Sequence, residues 1–122
     1  MEQIASLRTD AWISAPWSVF LQTAADPAYE KAKGYYHQGH MRLEMLPVGH
    51  AHSRDDGTIA LVVNLYCITQ AIALEILPNC SYRKPGIREC QPDISCYFGD
   101  RAGLIPPGTS VVDLNRYPPP DL

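Results

Sequence analysis

The sequence predicts an α/β protein, because helical and extended patterns follow one another along the chain. Segments 16–25 and 56–77 have the length and spacing typical of helices. Segments 35–48 and 80–98 show the turn signals and extended patterns typical of strands. A chain of 122 residues is enough for one domain with a modest core, so we expect residues 1–122 to belong to a single domain.

The first predicted helix begins at Pro16, which suits the first helical position, and stops before Pro27. Trp17, Phe20 and Leu21 recur at the spacing of one helical face. We expect this face to pack against the core of the protein.

The second predicted helix, 56–77, is largely apolar and too long for a typical strand, and Pro78 ends it. Three residues just before it are candidate N-caps: Ser53, Asp55 and Asp56. A run of this length also suits a transmembrane helix. Polar residues inside it make insertion into a bilayer costly, namely Asn64, Gln70 and Glu75. We therefore expect a buried core helix.

Residues 35–48 predict a β-hairpin with its turn at Gln38-Gly39. Apolar and polar residues alternate along the second strand of this hairpin. The apolar set is Met41, Leu43 and Met45, and the polar set is Arg42 and Glu44. The alternation places the polar set on one face, which either meets solvent or forms part of a site.

The second half of the chain predicts further strands. Residues 80–88 indicate a strand that leads into a turn at Pro85-Gly86, and residues 87–98 form another extended run. Residues 109–114 are a short strand candidate.

The chain carries four cysteines. They are Cys67, Cys80, Cys90 and Cys96, and no two form a CxxC pair of the kind that binds zinc or performs redox chemistry. The first residues also lack the basic region and apolar run of a secretory signal. We expect a cytoplasmic protein whose cysteines are reduced.

The formal net charge is −3, so composition gives no electrostatic argument for binding nucleic acid. Three cations nevertheless cluster around Pro85-Gly86: Arg83, Lys84 and Arg88. Such a turn either presents cations to phosphates or forms a solvated hairpin tip.

Two acids stand on or beside predicted strands. Glu44 lies on the hairpin, and Asp93 follows Pro92 at the head of an apolar stretch. Carboxylates that meet at a strand edge can hold Mg²⁺, which prefers oxygen ligands and can activate water. The alternative for Asp93 is a solvated side chain at a strand entry.

The chain has four histidines in two close pairs, His37 with His40 and His50 with His52. Histidines at such spacings could supply a zinc or iron site, and Asp55 or Asp56 could complete a cupin-like facial triad with the second pair. Alternatively, the first pair straddles a surface turn, and His52 serves only capping or packing at a helix start.

Three stretches of the sequence resemble a known family. They are GYYHQGHMRLEMLPVGHAHSR, YRKPGIRECQPDISCYFGD and GTSVVDLNRYPPPDL, and they occur in the family's order over about residues 12–122. The family is abundant in cyanobacteria, is regarded as restriction-endonuclease-like, and belongs to the PD-(D/E)XK nuclease superfamily.

This resemblance implies a mixed central sheet flanked by helices, with a Mg²⁺ site at one sheet edge and DNA as the substrate. Asp93 matches the aspartate of the family's PD motif and would bind the metal. Glu44 matches the acidic residue of the first hairpin, so both acids would be catalytic. His52 and Arg54 fall where the family enters its long helix, close to the cleft. We therefore group Arg54 with Arg83, Lys84 and Arg88 as candidates for binding nucleic acid.

The resemblance also places this chain at the front of the family domain. In relatives, the stretch after PPPDL continues into a strand with the next metal-binding acid and then a segment with a lysine. We therefore expect the N-terminal part of one restriction-endonuclease-like domain, incomplete and inactive as a nuclease.

We also expect homodimerisation or another form of self-association, because truncation would leave a sheet edge and an apolar helix face uncovered. Two alternatives remain open for the function. One is a non-catalytic remnant kept as a folding or dimerisation module. The other is a small cupin-like histidine-metal protein, which would have strands rather than a helix at 56–77.

Overall fold

In a computed structural model, which describes residues 7–45 and 49–122, the chain forms two α-helices and eight strands. The helices are α1 (Trp17–Ala24) and α2 (His50–Thr69). The strands are β1 (Ile13–Ser14), β2 (Lys33–His37), β3 (His40–Glu44), β4 (Leu74–Pro78), β5 (Ser81–Lys84), β6 (Arg88–Cys90), β7 (Ile94–Phe98) and β8 (Val111–Asp113). Short 3-10 turns occupy Pro27–Tyr29 and Gly99–Arg101.

Six of the strands form one sheet in the order β1-β3-β2-β6-β5-β8. The β5–β8 pair is parallel and the other pairs are antiparallel, so the sheet is mixed. The remaining strands, β4 and β7, form a separate antiparallel pair. The predicted α/β class with a mixed sheet is confirmed.

The hairpin of β2 and β3 forms where the sequence predicted it. Gln38 and Gly39 both have positive φ, 48° and 76°, as a two-residue type I′ turn requires. Met41 and Leu43 are buried, whereas Met45 follows the end of the strand and is 40% exposed. The last predicted hairpin residues, 46–48, lie outside the described residues.

One face of this hairpin packs against α1. Phe20 is fully buried, and its ring centroid lies 5.4 Å from those of Trp17 and Tyr36. A Cβ added at Gly34 would meet the Phe20 ring at 3.2 Å, which shows how closely the helix approaches the strand. The predicted packing face of the first helix is therefore confirmed for Trp17 and Phe20.

A second core lies between the two sheets. Tyr82 on β5 and Tyr97 on β7 are buried together with Val112 on β8. The hydroxyl oxygens of Tyr82 and Ser95 are 2.6 Å apart, and Ser95 also donates to the Leu77 carbonyl oxygen at 3.2 Å. These contacts fix β7, and the residue just before it, over the six-stranded sheet.

The second helix differs from the prediction at both ends. It begins at His50 with Gly49 as its N-cap, so Ser53, Asp55 and Asp56 lie inside it. It ends at Thr69, and the predicted helical residues 74–77 belong to β4.

Two residues after the helix, Ala71 takes the left-handed conformation with φ of 55°. The amide of Ile72 donates to the carbonyl of Cys67, and that of Ala71 donates to Ile68. This pair of bonds is the Schellman arrangement, which usually places glycine at the left-handed position. The sequence has alanine there, so it carried no stop signal.

The prediction that this helix is buried in the core is also wrong. Cys67 is its one buried residue among those described. Six large apolar side chains of its C-terminal half are at least half exposed: Ile59, Leu61, Val62, Leu65, Tyr66 and Ile68. An apolar surface this large usually marks a contact with another molecule or segment. No helix in the described part of the chain has the length and hydropathy of a membrane span.

Candidate metal centre

Asp93 stands immediately before β7, at the point where this strand leaves its partner β4. Ile94 pairs with Pro78, and the backbone carbonyl of Asp93 accepts a hydrogen bond of 3.0 Å from the amide of Asn79. The backbone of Asp93 is therefore fixed by the end of the two-stranded sheet. Its side chain is 35% exposed and contacts two ionisable groups, Lys33 and His52, with a third, Asp56, within 4.8 Å.

Lys33 is the first of these groups. It begins β2 and points away from the α1 side, because alternate residues of a strand face opposite ways and Gly34 faces Phe20. Its ammonium contacts the Oδ1 atom of Asp93, and its side chain is only 6% exposed. A buried ammonium requires a charged partner, so Lys33 holds Asp93 in one orientation.

His52 and Asp56 supply the other side of the site from the first turns of α2. They are four residues apart and therefore lie on one face of the helix. The Nε2 atom of His52 lies 2.9 Å from Oδ2 of Asp93 and 3.2 Å from Oδ2 of Asp56. One potential ligand atom from each of the three residues lies within 4.8 Å of the others.

These neighbours keep Asp93 ionised. The hydrogen bond from Lys33 is the largest cause that lowers the pKa of Asp93 below its ordinary value of 3.8. Partial burial works against this, whereas the charges of Lys33 and His52 lower the pKa further. At neutral pH Asp93 is therefore a carboxylate that can accept hydrogen bonds or bind a cation.

The three residues open onto a cleft of about 550 Å³ between α2 and the ends of β4 and β7. Lys31, Ser53, Asn79 and Gln91 also line this cleft. A space of this size admits a small ligand or one phosphate group of a larger one. The carboxylate and imidazole groups are therefore accessible from solvent.

The donor set fits a divalent cation. Two carboxylates suit Mg²⁺ or Mn²⁺, and an imidazole nitrogen adds Zn²⁺ or Fe²⁺ to the metals that the site could select. An imidazole nitrogen binds a cation only when it carries no proton, so the affinity should rise with pH.

Glu44, the other predicted catalytic acid, lies next to this site but outside the cluster. It pairs across the hairpin with Lys33, and its Oε2 atom accepts a hydrogen bond of 3.2 Å from Nε of Arg42. Burial, then the charges of Glu44 and Asp93, raise the pKa of Tyr35 to about 12. Both acids therefore act electrostatically on Tyr35.

The four basic residues predicted to bind nucleic acid lie outside the cleft and do not form one group. Arg54 is exposed on α2 and contacts Asp55 at 3.5 Å. Arg83 contacts Glu89 and lies over the Trp17 ring at 5.7 Å. Lys84 and Arg88 pair with each other across the β5–β6 hairpin.

Among the described residues, the cation-binding cluster includes one of the four histidines. His37 and His40 face each other at the hairpin turn, and the described cation-binding cluster includes neither of them. His50 begins α2, and only His52 of this pair joins the cluster. The cupin-like alternative is disfavoured, because most of the segment that would supply its strands is helix α2.

Sequence reasoning missed Lys33 altogether. Lys33 lies two residues before the predicted hairpin, and a charged residue just outside a strand is common, so the pattern gave no signal for it. Asp56 was considered as a histidine-metal ligand and as an N-cap, and its position within 4.8 Å of Asp93 depends on the tertiary fold. The four cysteines are free thiols in the structure.

Comparison with protein-family models, curated proteins and solved structures finds no match to this chain.

Proposed function

We propose that this chain supplies the cation-binding part of a restriction-endonuclease-like domain that hydrolyses phosphodiester bonds in DNA. The proposal rests on one observation above all. Asp93, the aspartate of the PD dipeptide, shares a cleft with His52 and Asp56, close enough for one cation to contact all three. The mixed sheet, with Asp93 at the head of a strand that covers it, is consistent with such a domain.

The residues of the cleft have distinct roles under this proposal. Asp93 and Asp56 hold the cation through carboxylate oxygens, and His52 either completes the ligand set or accepts a proton from water. Lys33 positions Asp93 and places a positive charge where a phosphate oxygen would enter. A divalent cation in such a site lowers the pKa of bound water and stabilises the charge that develops on phosphorus oxygens.

A cleavage assay tests this function. Supercoiled plasmid is incubated with the chain and Mn²⁺ or Mg²⁺, and with the Asp93→Asn variant under the same conditions. Cleavage that needs both the cation and Asp93 supports the proposal. Cleavage that the Asp93→Asn variant retains would contradict the proposal.

A second candidate function is a non-catalytic module that associates with another copy of the chain. The observation that favours it is the exposed apolar surface of α2, which includes Leu65 and Ile68. Association without any cation-dependent cleavage would favour this second function. Sedimentation and the cleavage assay together distinguish the two.

A further inference from the structure

Four basic side chains form a row across one end of the six-stranded sheet. The register pairs His40 with His37, His37 with Arg88, and Arg88 with Lys84. Directly paired residues on neighbouring strands project from the same face. The row therefore crosses four adjacent strands, β3, β2, β6 and β5, on a single face of the sheet. We call these four residues the basic row.

Two turns build the row. The type I′ turn at Gln38-Gly39 closes the first hairpin. In the second hairpin, the amide of Ile87 donates to the Lys84 carbonyl, and Gly86 has a φ of 77°. These features, with proline at the second position, match a type II turn. Both tips are defined turns that lie side by side, so the row does not depend on a loose loop.

The arrangement carries a cost for folding, because like charges placed directly opposite each other on neighbouring strands destabilise a sheet. Lys84 and Arg88 are such a pair. Within the part of the chain that the structure describes, no carboxylate forms an ion pair with either of them. In contrast, Arg83 on the opposite face is neutralised by Glu89.

The row is accessible and extended. His37, His40 and Arg88 are exposed, and Lys84 is half-buried. Neighbouring strands are about 4.8 Å apart, so the row spans roughly 14 Å across the sheet. A single small anion would contact only part of it. A polymer with regularly spaced phosphates would contact more of it at once.

The position of the row relates it to the cleft. His37 and Lys33 project from the same face of β2, four residues apart, which corresponds to roughly 13 Å along the strand. That distance equals about four base-pair steps of 3.4 Å. A nucleic acid whose backbone crosses the basic row could therefore reach the cleft that holds Asp93.

We propose that the basic row of His40, His37, Arg88 and Lys84 binds the phosphodiester backbone of nucleic acid. This inference rests on the proposed function for the identity of the polymer, DNA. The basic row contains none of the cation-binding residues. Lys84 and Arg88 concentrate positive charge at one end of the sheet, which is more informative than the overall charge of −3. Contacts with phosphates position a strand and carry no sequence preference.

The test measures binding of a fluorescein-labelled 20-nucleotide DNA, single-stranded and duplex, by anisotropy in EDTA. The variant is Lys84→Glu with Arg88→Glu. The control is Arg8→Glu with Arg116→Glu, which makes the same change in net charge at exposed positions outside the row. Circular dichroism melts establish that both variants fold.

We expect the row variant to lose at least tenfold in affinity and the control less than twofold. The slope of log affinity against log salt should fall by about two for duplex DNA, since each phosphate contact contributes about 0.9. Equal losses in the two variants, or no binding by the parent chain, would overturn the proposal. Displacement of the DNA by polyglutamate at equal charge would also overturn it, because the row would then recognise any polyanion. EDTA removes divalent cations, so the measured DNA affinity does not depend on the metal centre. A failure of the cleavage assay would therefore leave the binding result unaffected.

Discussion

The imidazole of His52 and the carboxylate of Asp93 meet across two elements of the fold, with Nε2 and Oδ2 2.9 Å apart. His52 comes from the first turn of α2, whereas Asp93 precedes β7. The contact gives the otherwise weakly held helix an ionic anchor to the body of the protein. It also makes the N-terminal end of α2 one wall of the candidate metal centre.

Replacing Lys33 tests whether its ammonium competes with a cation for Asp93. We expect Lys33→Met to bind Mn²⁺ several-fold more tightly in a calorimetric titration, because Oδ1 of Asp93 is freed and a nearby positive charge is lost. The pKa of Asp93 should rise in this variant. Lys31→Met, at the rim of the same cleft, should change the affinity less than twofold. Weaker binding by Lys33→Met would contradict this prediction, because the orientation that Lys33 gives Asp93 would then outweigh its competition for Oδ1.

The lowered pKa of Asp93 predicts how stability depends on pH. A carboxyl whose pKa falls on folding contributes stability above its ordinary value, 3.8, and loses that contribution as pH drops below it. At pH 6 we expect Asp93→Asn to lower the free energy of unfolding by about 1.5–3 kcal/mol, the range for a hydrogen bond to a charged group. The difference should shrink below about pH 3.8.

Urea denaturation of both proteins from pH 7 to pH 3 measures this difference. Asp100→Asn is the matched control, since Asp100 is exposed and has no ion pair among the described residues. A difference that stays constant down to pH 3 would contradict the assignment to the ionised Asp93.

The left-handed conformation of Ala71 predicts a stabilising substitution. Ala71→Gly relieves the steric cost of φ at 55°, partly offset by the greater freedom of glycine in the unfolded chain. We expect the free energy of unfolding to rise by up to about 1 kcal/mol. Ala60→Gly, inside α2, should instead lower it by about 1 kcal/mol. If Ala71→Gly and Ala60→Gly lowered the free energy of unfolding by similar amounts, Ala71 would not have the left-handed conformation that follows the helix end.

The exposed surface of α2 predicts that the chain self-associates. We expect Leu65→Gln with Ile68→Gln to shift the sedimentation coefficient toward that of the monomer. The control is Ile87→Gln with Leu104→Gln, which removes exposed apolar groups elsewhere and should leave association unchanged. A parent chain that remains monomeric at every concentration would contradict this prediction.

Much of the six-stranded sheet could be predicted because its signals are local. The Gln38-Gly39 and Pro85-Gly86 pairs specify their turns, and alternation identifies the core side of β3. The long apolar segment was harder to interpret. Its apolar residues continue from α2 into β4, and the break between them falls at Ala71 without glycine or proline.

The candidate metal centre shows the same limit. Asp93 was identified from its proline-aspartate context and from a family resemblance. Its contacts with Lys33, His52 and Asp56 depend on how β2, α2 and β7 come together, which no local pattern specifies. The sequence likewise suggested three basic residues around one turn. The strand register places Arg83 on the face opposite to Lys84 and Arg88. It also brings His37 and His40, which were considered only as metal ligands, into one row with Lys84 and Arg88.

The central claim is that Asp93, His52 and Asp56 bind one divalent cation in the cleft, and calorimetric titration with Mn²⁺ at two pH values tests it most directly. We predict one Mn²⁺ per chain, tighter binding at pH 8 than at pH 6, and loss of binding in both Asp93→Asn and His52→Ala. Asp55→Asn, which removes a carboxylate of α2 outside the cluster, should bind like the parent. Failure of the parent chain to bind Mn²⁺, or unchanged binding by Asp93→Asn, would contradict the account.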